Sequence, residues 1–576
     1  MNHTLLQKAS IVLTPTAYGA DTLNAMKPAG SSADFEFTRN STATRVNESG
    51  LIEDVPYNLV LHSQSFSSGW FNTNSTETLD TSVLAPDGTA TAWKLQANAG
   101  THFSFLGQTI TMSGQISFSV FLKKGTATTA SVFLSESGNL GLTANLENGT
   151  ITSVTGSDMV GSVESAGNGW YRFEIKHTSG DDLSNSVRIG VEGGSFGSVT
   201  YAGTENIYIW GAQITKGDIK PYLKTTDRLD IPRIDYTNGE PSILLEPQIT
   251  NHYLKSEAFD NFSGTINLNN ATSPTGATNA AKLTKTSASD QFLVLSWSGT
   301  TISTSTAYTM SLFVKHNGDD IDVRYEYNNS ADWGVTWTAL FLVRASGTTA
   351  STVANCTSKV EDFGNGWFRI SCTFTTAGSV SATSPANLVR ITGGDTETIL
   401  VFGAQMEKYL APTSYIPSLG TAVTRSQDVC GNAGSSDLIN STEGTLYAEI
   451  DVQAKSGGTF LSLSAGNSSN RVIFGFISSS GKFFITGSGS TSSSTFSITT
   501  GQFNKIALTY KANERKVFVN GSSAFSSTSS FSLPTGLSEL SFDSNGTGSQ
   551  DFEGSVKTVA VFKEALTDAE LTTLTS

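Results

Sequence analysis

A chain of 576 residues exceeds what one core can hold, and a scale of about 150 residues per domain points to three or four units. Charged residues make up 15%, against roughly 25% in ordinary soluble domains. Ser, Thr, Asn and 54 Gly take their place, which disfavours helix and suits strands and turns, so an all-β chain of antiparallel β-sandwiches is expected. A net charge of −15 without a basic block excludes nucleic acid as a partner. No apolar run reaches the ~18 to 20 residues of a membrane helix. Residues 1–8 lack the basic and apolar regions of a signal peptide, so synthesis in a host cytoplasm is expected.

In chain order, residues 1–56 are expected to form an N-terminal attachment or oligomerisation segment. Residues 57–226 and 250–429 follow as two copies of one module, separated by a linker, 227–249. Four blocks carry the repeat. APDGTATAWKL at 85–95 returns as SPTG at 273–276 and AKL at 281–283; SVFLK at 119–123 returns as SLFVK at 311–315. GNGWYRF at 167–173 returns as GNGWFRI at 364–370, and IWGAQ at 209–213 as VFGAQ at 401–405. The offsets stay between 188 and 197 residues and the order is kept. Runs such as 116–121 alternate apolar and polar residues at period two, and Asn168-Gly169 and Asn365-Gly366 are hairpin-turn signals. Trp170 and Trp367, next to those turns, are expected to plug the sandwich cores.

The last part, 430–576, is a different unit. Its strands are expected at GTLYAEIDV (444–452), NKIALTY (504–510), KVFVNG (516–521) and GSVKTVAVF (554–562). One helix closes it: Thr567 as N-cap with Glu570 three residues on makes a capping box, and Leu571 and Leu574 give an apolar edge.

Three stretches resemble known families. FTRNSTATRVNESGLIE at 37–53 resembles an N-terminal signature of tail-fibre and structural proteins of bacterial viruses, and LQKAS (6–10) with PTAY (15–18) resembles the same family's opening. In that family the signature continues into a segment similar to IPRIDY (231–236) followed by GEPSILLEPQ (239–248); here the first module stands between the two halves. Each repeated module is similar to jelly-roll carbohydrate-binding modules, and the last unit resembles the concanavalin A-like lectin sandwich of the laminin-G kind. The resemblance implies glycan or protein binding in the last unit without naming a ligand.

Candidates for chemistry are sparse. No His pair has i,i+4 zinc-protease spacing. GGSFG at 193–197 fits Gly-x-Ser-x-Gly, but its flanks read as strand and loop rather than a nucleophile elbow. Glu449 and Asp451, two apart on a strand, share a face, the minimum for a hydrolytic acid/base pair; a third acidic residue is missing, and a solvated strand edge is the favoured reading. Asp319, Asp320 and Asp322 offer oxygens to Ca²⁺ but lack the EF-hand pattern, and a solvated turn is the alternative. Cys356 and Cys372 flank a strand-turn-strand; a disulfide and two buried thiols are both open, while Cys430 stands apart.

Sugar binding needs aromatic faces beside amide or carboxylate groups. Trp333 and Trp337 have no Trp counterpart in the first module, and Tyr325, Tyr327 and Asp332 add a polar rim. In the last unit Arg471, Asn520 and Asp543 are candidate loop contacts. The function expected is a non-enzymatic virion fibre or adhesin, a surface appendage that binds host-surface polysaccharide and other virion proteins, as a homotrimer. An architectural role (head fibre, collar or capsid decoration) is the alternative, and a glycan hydrolase using Glu449 and Asp451 the third reading.

Overall fold

The computed structural model describes all residues except 1–2, 20, 30–31, 56–57, 113–114, 136–138, 179–182, 193–197, 226–229, 296, 298–301, 328–336, 381–386, 453–454, 479 and 545–549. The chain is almost entirely antiparallel β-structure and divides into two compact units. One is Pro56–Leu229; the other is discontinuous, Met1–Val55 with Asp230–Ser576.

In Pro56–Leu229 two sheets enclose one core. The first runs Met159–Gly167, Trp170–His177, Ile116–Lys124, Asn206–Lys216, Trp93–Ala97, Ser75–Leu79. The second runs Ile151–Thr155, Asn139–Asn145, Thr129–Ser135, Leu183–Val191, Phe105–Met112, Phe71–Thr73. Side chains alternate across a strand, so Ile116, Phe118, Val120 and Leu122 all reach the interior. Asn168 and Gly169 have φ of 52° and 78°, the doubly left-handed turn that a two-residue hairpin favours. Trp170 is fully buried, but not between the sheets. Phe173 and Ile175 of its strand face the interior, so Trp170 lies on the opposite face, packed with Trp210, Ala85 and Ala92. Its indole donates to the Leu84 carbonyl at 2.9 Å. Residues from the repeat blocks at 85–95, 167–173 and 209–213 thus meet in one cluster outside the sandwich.

The discontinuous unit holds the second copy of this fold. Thr265–Ala271, Ala280–Thr284, Thr398–Glu407, Ala307–His316, Trp367–Thr375 and Cys356–Asp362 make one sheet in the matching order. Gln291–Leu295, Asn387–Thr392, Ile321–Tyr327, Trp337–Arg344 and Gly347–Ala354 make the other. Trp367 repeats the placement of Trp170: Ile370 and Cys372 face inward, while Trp367 packs outside with Phe313, Phe402 and Tyr415 and donates to Thr272 O at 3.0 Å. Here Val46 and Ile52, from the hairpin Thr44–Val46 and Ile52–Asp54, cover the cluster.

The same unit contains a third sandwich. Its larger sheet is ordered Arg233–Asp235, Ser242–Leu245, Gly554–Phe562, Gly444–Val452, Asn504–Lys511, Glu514–Val519, Ser522–Ser527, with Ala9–Leu13 also pairing Gly554–Phe562. Ser490–Phe496, Ser480–Gly487, Arg471–Ser478, Lys455–Ser464 and Glu539–Ser541 form the second sheet. This corrects the expectation of a separate segment at 1–56 and a linker at 227–249. Ile11, Leu13, Phe35 and Phe37 from the first, and Ile234, Ile243 and Leu245 from the second, share a core with Leu446, Phe474 and Val556. The reason is burial: these short alternating strands have no apolar partner of their own and find one at the far end of the chain. The closing helix Asp568–Thr575 carries the capping box on Thr567 and Glu570, with Leu571 and Leu574 buried. Leu5 of the short helix His3–Lys8 packs in the same cluster.

Candidate functional site

Within the discontinuous unit, the stretches that carry the fibre-like signature converge on a buried ionic frame. Arg233 pairs with Glu246 at 2.6 Å and with Asp428; Arg39 reaches Asp428 at 2.9 Å, and Arg425 reaches Glu246 at 2.9 Å. Ser414 ties the arrangement: its hydroxyl donates to Glu246 at 2.7 Å and accepts from Arg233 at 2.8 Å and Arg425 at 2.7 Å. Burial works to raise the Glu246 carboxyl, but Arg425, Arg233 and Ser414 outweigh it and hold it at about 2. Burial lowers Arg39 to about 10 despite Asp428. Such pairs cost desolvation, and their hydrogen bonding is what makes the burial tolerable. The frame fixes Thr44–Val46, Arg233–Asp235 and the 412–415 turn against the second jelly roll.

Beside this frame opens a cleft of about 170 Å³. Arg45 comes from the Thr44–Val46 hairpin, Asp235 and Asn238 from the hairpin of Arg233–Asp235 with Ser242–Leu245, Lys359, Glu361 and Phe363 from the second jelly roll, and Asp451 from the last sandwich. Leu446, Ala448 and Ile450 face the sandwich core, so Glu449 and Asp451 do share the outer face of their strand. Of the two, Asp451 lines the cleft. Burial raises its pKa against the pull of Lys359 and of the Gly501 and Val452 amides. One of its oxygens, Oδ1, is buried with no partner among the described residues. Around it Lys359 pairs with Glu361 at 2.8 Å and Arg45 with Glu53 at 2.9 Å, while Phe363 meets Phe313 edge-on at 4.9 Å.

The residues singled out from sequence fare differently. Tyr325 is core: it is 1% exposed and packs edge-on against Phe341, so it presents no face to a sugar. Its strand alternates inward at Ile321, Val323 and Tyr325, which the period-two pattern requires. Tyr327 and Trp337 are opposite each other in register, but their side chains, like Trp333 and Asp332 entirely, lie outside the described residues. Asn520 is spent in a turn: with φ of 47°, it accepts from the Lys505 amide at 2.9 Å and donates to Asn504 at 3.2 Å. Arg471 and Asp543 do come together at one end of the smaller sheet. Arg471 donates to the Ser544 carbonyl at 2.8 Å, and Asp543 is buried, accepting from Ser462 at 3.3 Å.

Asp319 has its own partner, while Asp320 and Asp322 share Arg344, which lies 3.7 Å from Asp320. Asp319 accepts from the Thr398 amide at 2.9 Å, Asp320 faces His316 at 3.4 Å, and Asp322 pairs with Arg344 at 2.6 Å. Among the described residues no cluster of three His, Cys, Asp or Glu is arranged to hold a metal. Cys356, Cys372 and Cys430 are free thiols, with Cys356 beside the Thr338 carbonyl at 3.3 Å. The 193–197 motif lies outside the described residues. Sequence reasoning missed Arg45, Lys359 and Phe363; their sole signal was that Arg45 sits in the signature stretch.

Residues 429–572 match the concanavalin A-like lectin/glucanases superfamily, about a quarter of the chain. The chain matches no curated protein sequence. Among solved structures it is similar to the CBM40 of the Ruminococcus gnavus IT-sialidase bound to α2,3-sialyllactose, at 14% identity over 25% of this chain and 94% of that one, TM-score 0.22. It is also similar to domain 4 of the arabinanase AbnA from Geobacillus stearothermophilus, at 17% over 29% and 82%, TM-score 0.22. Mouse laminin α1 domains LG4-5 follow at 10% over 49% and 93%, TM-score 0.17. Scores this low carry no functional argument; the superfamily match and the observed sheets together make residues 429–572 a lectin-like β-sandwich.

Proposed function

We propose that this protein is a non-enzymatic, glycan-binding surface appendage of a bacterial virus, a fibre or adhesin that engages host-surface polysaccharide. The observation that carries this reading is the match of residues 429–572 to the lectin/glucanases superfamily, in a sandwich that brings Arg471 and Asp543 to one sheet end. The resemblance of residues 37–53 and 231–248 to the viral fibre signature supports the viral assignment; Arg39, Arg233 and Glu246 of those stretches belong to the buried frame. Each site binds weakly, and assembly as a homotrimer with other virion proteins multiplies the effective affinity. The test is binding of labelled full-length protein to host cells. Saturable binding that purified host polysaccharide competes away, without release of reducing ends, is the expected result. Absence of binding by folded protein contradicts the reading.

One observation favours the architectural alternative. Arg471, Asn520 and Asp543 all spend polar groups on internal partners, which leaves less for a ligand. Imaging of whole particles separates the two: a decorating protein occupies many symmetric shell positions, a fibre the particle's appendages.

A further inference from the structure

The cleft shares Glu246 and Ser414 with the ionic frame, and the rest of its lining sets polar groups beside an aromatic side chain. Its walls come from three separate parts of one compact unit, and junctions of this kind are where small-molecule sites concentrate. The ionic frame on one side makes those walls rigid.

We infer that this cleft is a second carbohydrate site, one that takes a single neutral sugar ring, with Asp451 as its central hydrogen-bonding group. Size comes first. About 170 Å³ is well below the ~300 to 1,000 Å³ that encloses a drug-sized ligand, so one ring fits and an oligosaccharide does not. Chemistry comes second. Oδ1 of Asp451 is buried without a hydrogen-bond partner among the described residues, and a ligand hydroxyl placed there would supply the missing bond. Glu361 and Lys359 beside it, and Asn238 at the tip of the facing hairpin, supply the mixed acceptors and donors that a set of ring hydroxyls needs. Phe363, half-buried and braced edge-on by Phe313, offers an apolar face for the C–H side of the ring. Charge comes third. Lys359 is already matched by Glu361, and Arg45 by Glu53. Arg369, also in the lining, is spent on Ser311 and the Thr413 carbonyl, so among the described residues no cation of the lining awaits an acidic sugar. Of the lining's carboxylates, Asp235 accepts from the Val46 and Thr237 amides and Glu246 pairs with Arg233 and Arg425. The lining selects a neutral ligand.

This inference rests on the glycan-binding reading, and its test keeps the two apart. Full-length wild-type protein is titrated with D-glucose, D-galactose, D-mannose and N-acetyl-D-glucosamine, and with D-glucuronic acid and D-glucosamine as charged controls. Saturation-transfer NMR reports contact and calorimetry the affinity. The same series is run on Asp451→Asn and on Lys359→Gln, an exposed position whose change leaves the core intact. The expected result is binding of at least one neutral sugar, weakened about tenfold or more in Asp451→Asn, as loss of a charged hydrogen-bonding partner predicts. Lys359→Gln weakens it too, and both variants keep the wild-type melting temperature. Host polysaccharide bound by all three proteins, with no monosaccharide signal sensitive to either substitution, overturns the cleft site and leaves the lectin reading standing. Preference for a charged sugar overturns the proposed ligand class. Absence of binding to every sugar and to polysaccharide sinks both.

Discussion

Arg233 and Asp428 stand 195 residues apart in the chain and form an ion pair in which neither side chain exposes any surface. Removing one partner leaves the other charge buried, which typically costs about 3–5 kcal/mol. Arg233→Met and Asp428→Asn are each expected to lower stability by that order in denaturant unfolding, with the double change costing less than the two singles added. Single variants as stable as wild type would show that the frame does not hold the unit together.

Glu246 titrates at about 2 in the fold against 4.5 for an unperturbed carboxyl. A depressed carboxyl contributes its stability above pH ~4.5 and loses it as pH falls toward 2. The shift is worth about 3 kcal/mol. Thermal melting followed from pH 6 to pH 2 should therefore fall through this window, and Glu246→Gln should remove that part of the slope while lowering the midpoint at pH 7. An identical slope in the variant contradicts the assignment.

The strand Ala9–Leu13 pairs with Gly554–Phe562, and Ile11 and Leu13 are fully buried in the last sandwich. A fragment beginning at residue 430 lacks this strand, Phe35, Phe37 and the Ser242–Leu245 strand. Circular dichroism and melting of the 430–576 fragment should show a poorly cooperative or aggregating species. Residues 56–229 alone, whose core is internal, should melt cooperatively. A sharp, native-like melt of 430–576 would mean that the N-terminal strands are dispensable.

Trp170 and Trp367 are buried on the outer face of their sheets, each anchored by one indole hydrogen bond. Truncation of either to Ala should cost about 3–5 kcal/mol, the range for large aromatic deletions. The loss at Trp170 should appear in the melt of residues 56–229 alone. A change below about 1 kcal/mol would contradict the packing described.

Much of this architecture is legible from local pattern. The repeat blocks, the Asn-Gly turns and the Thr567–Glu570 capping box each depend on a few adjacent residues, and each forms as its chemistry requires. The placement of Trp170 outside the sheets was also written in the alternation with Phe173 and Ile175. Its aromatic bulk favoured the core, and the strand parity overrules that. The roles of Ala9–Leu13 and Ser242–Leu245 were not legible. They are strands of four or five residues whose partner lies hundreds of residues away, and no local signal encodes such a pairing. The cleft was hidden for the same reason: Arg45, Lys359 and Asp451 are ordinary polar residues until three distant stretches meet.

Glycan recognition is tested by binding of the intact, fluorescently labelled protein to an array of bacterial surface polysaccharides. Saturable binding to a restricted set of glycans, competed by the same glycans in solution, is expected. Protein that melts as a folded species yet binds none of them would contradict it and move the function to architecture.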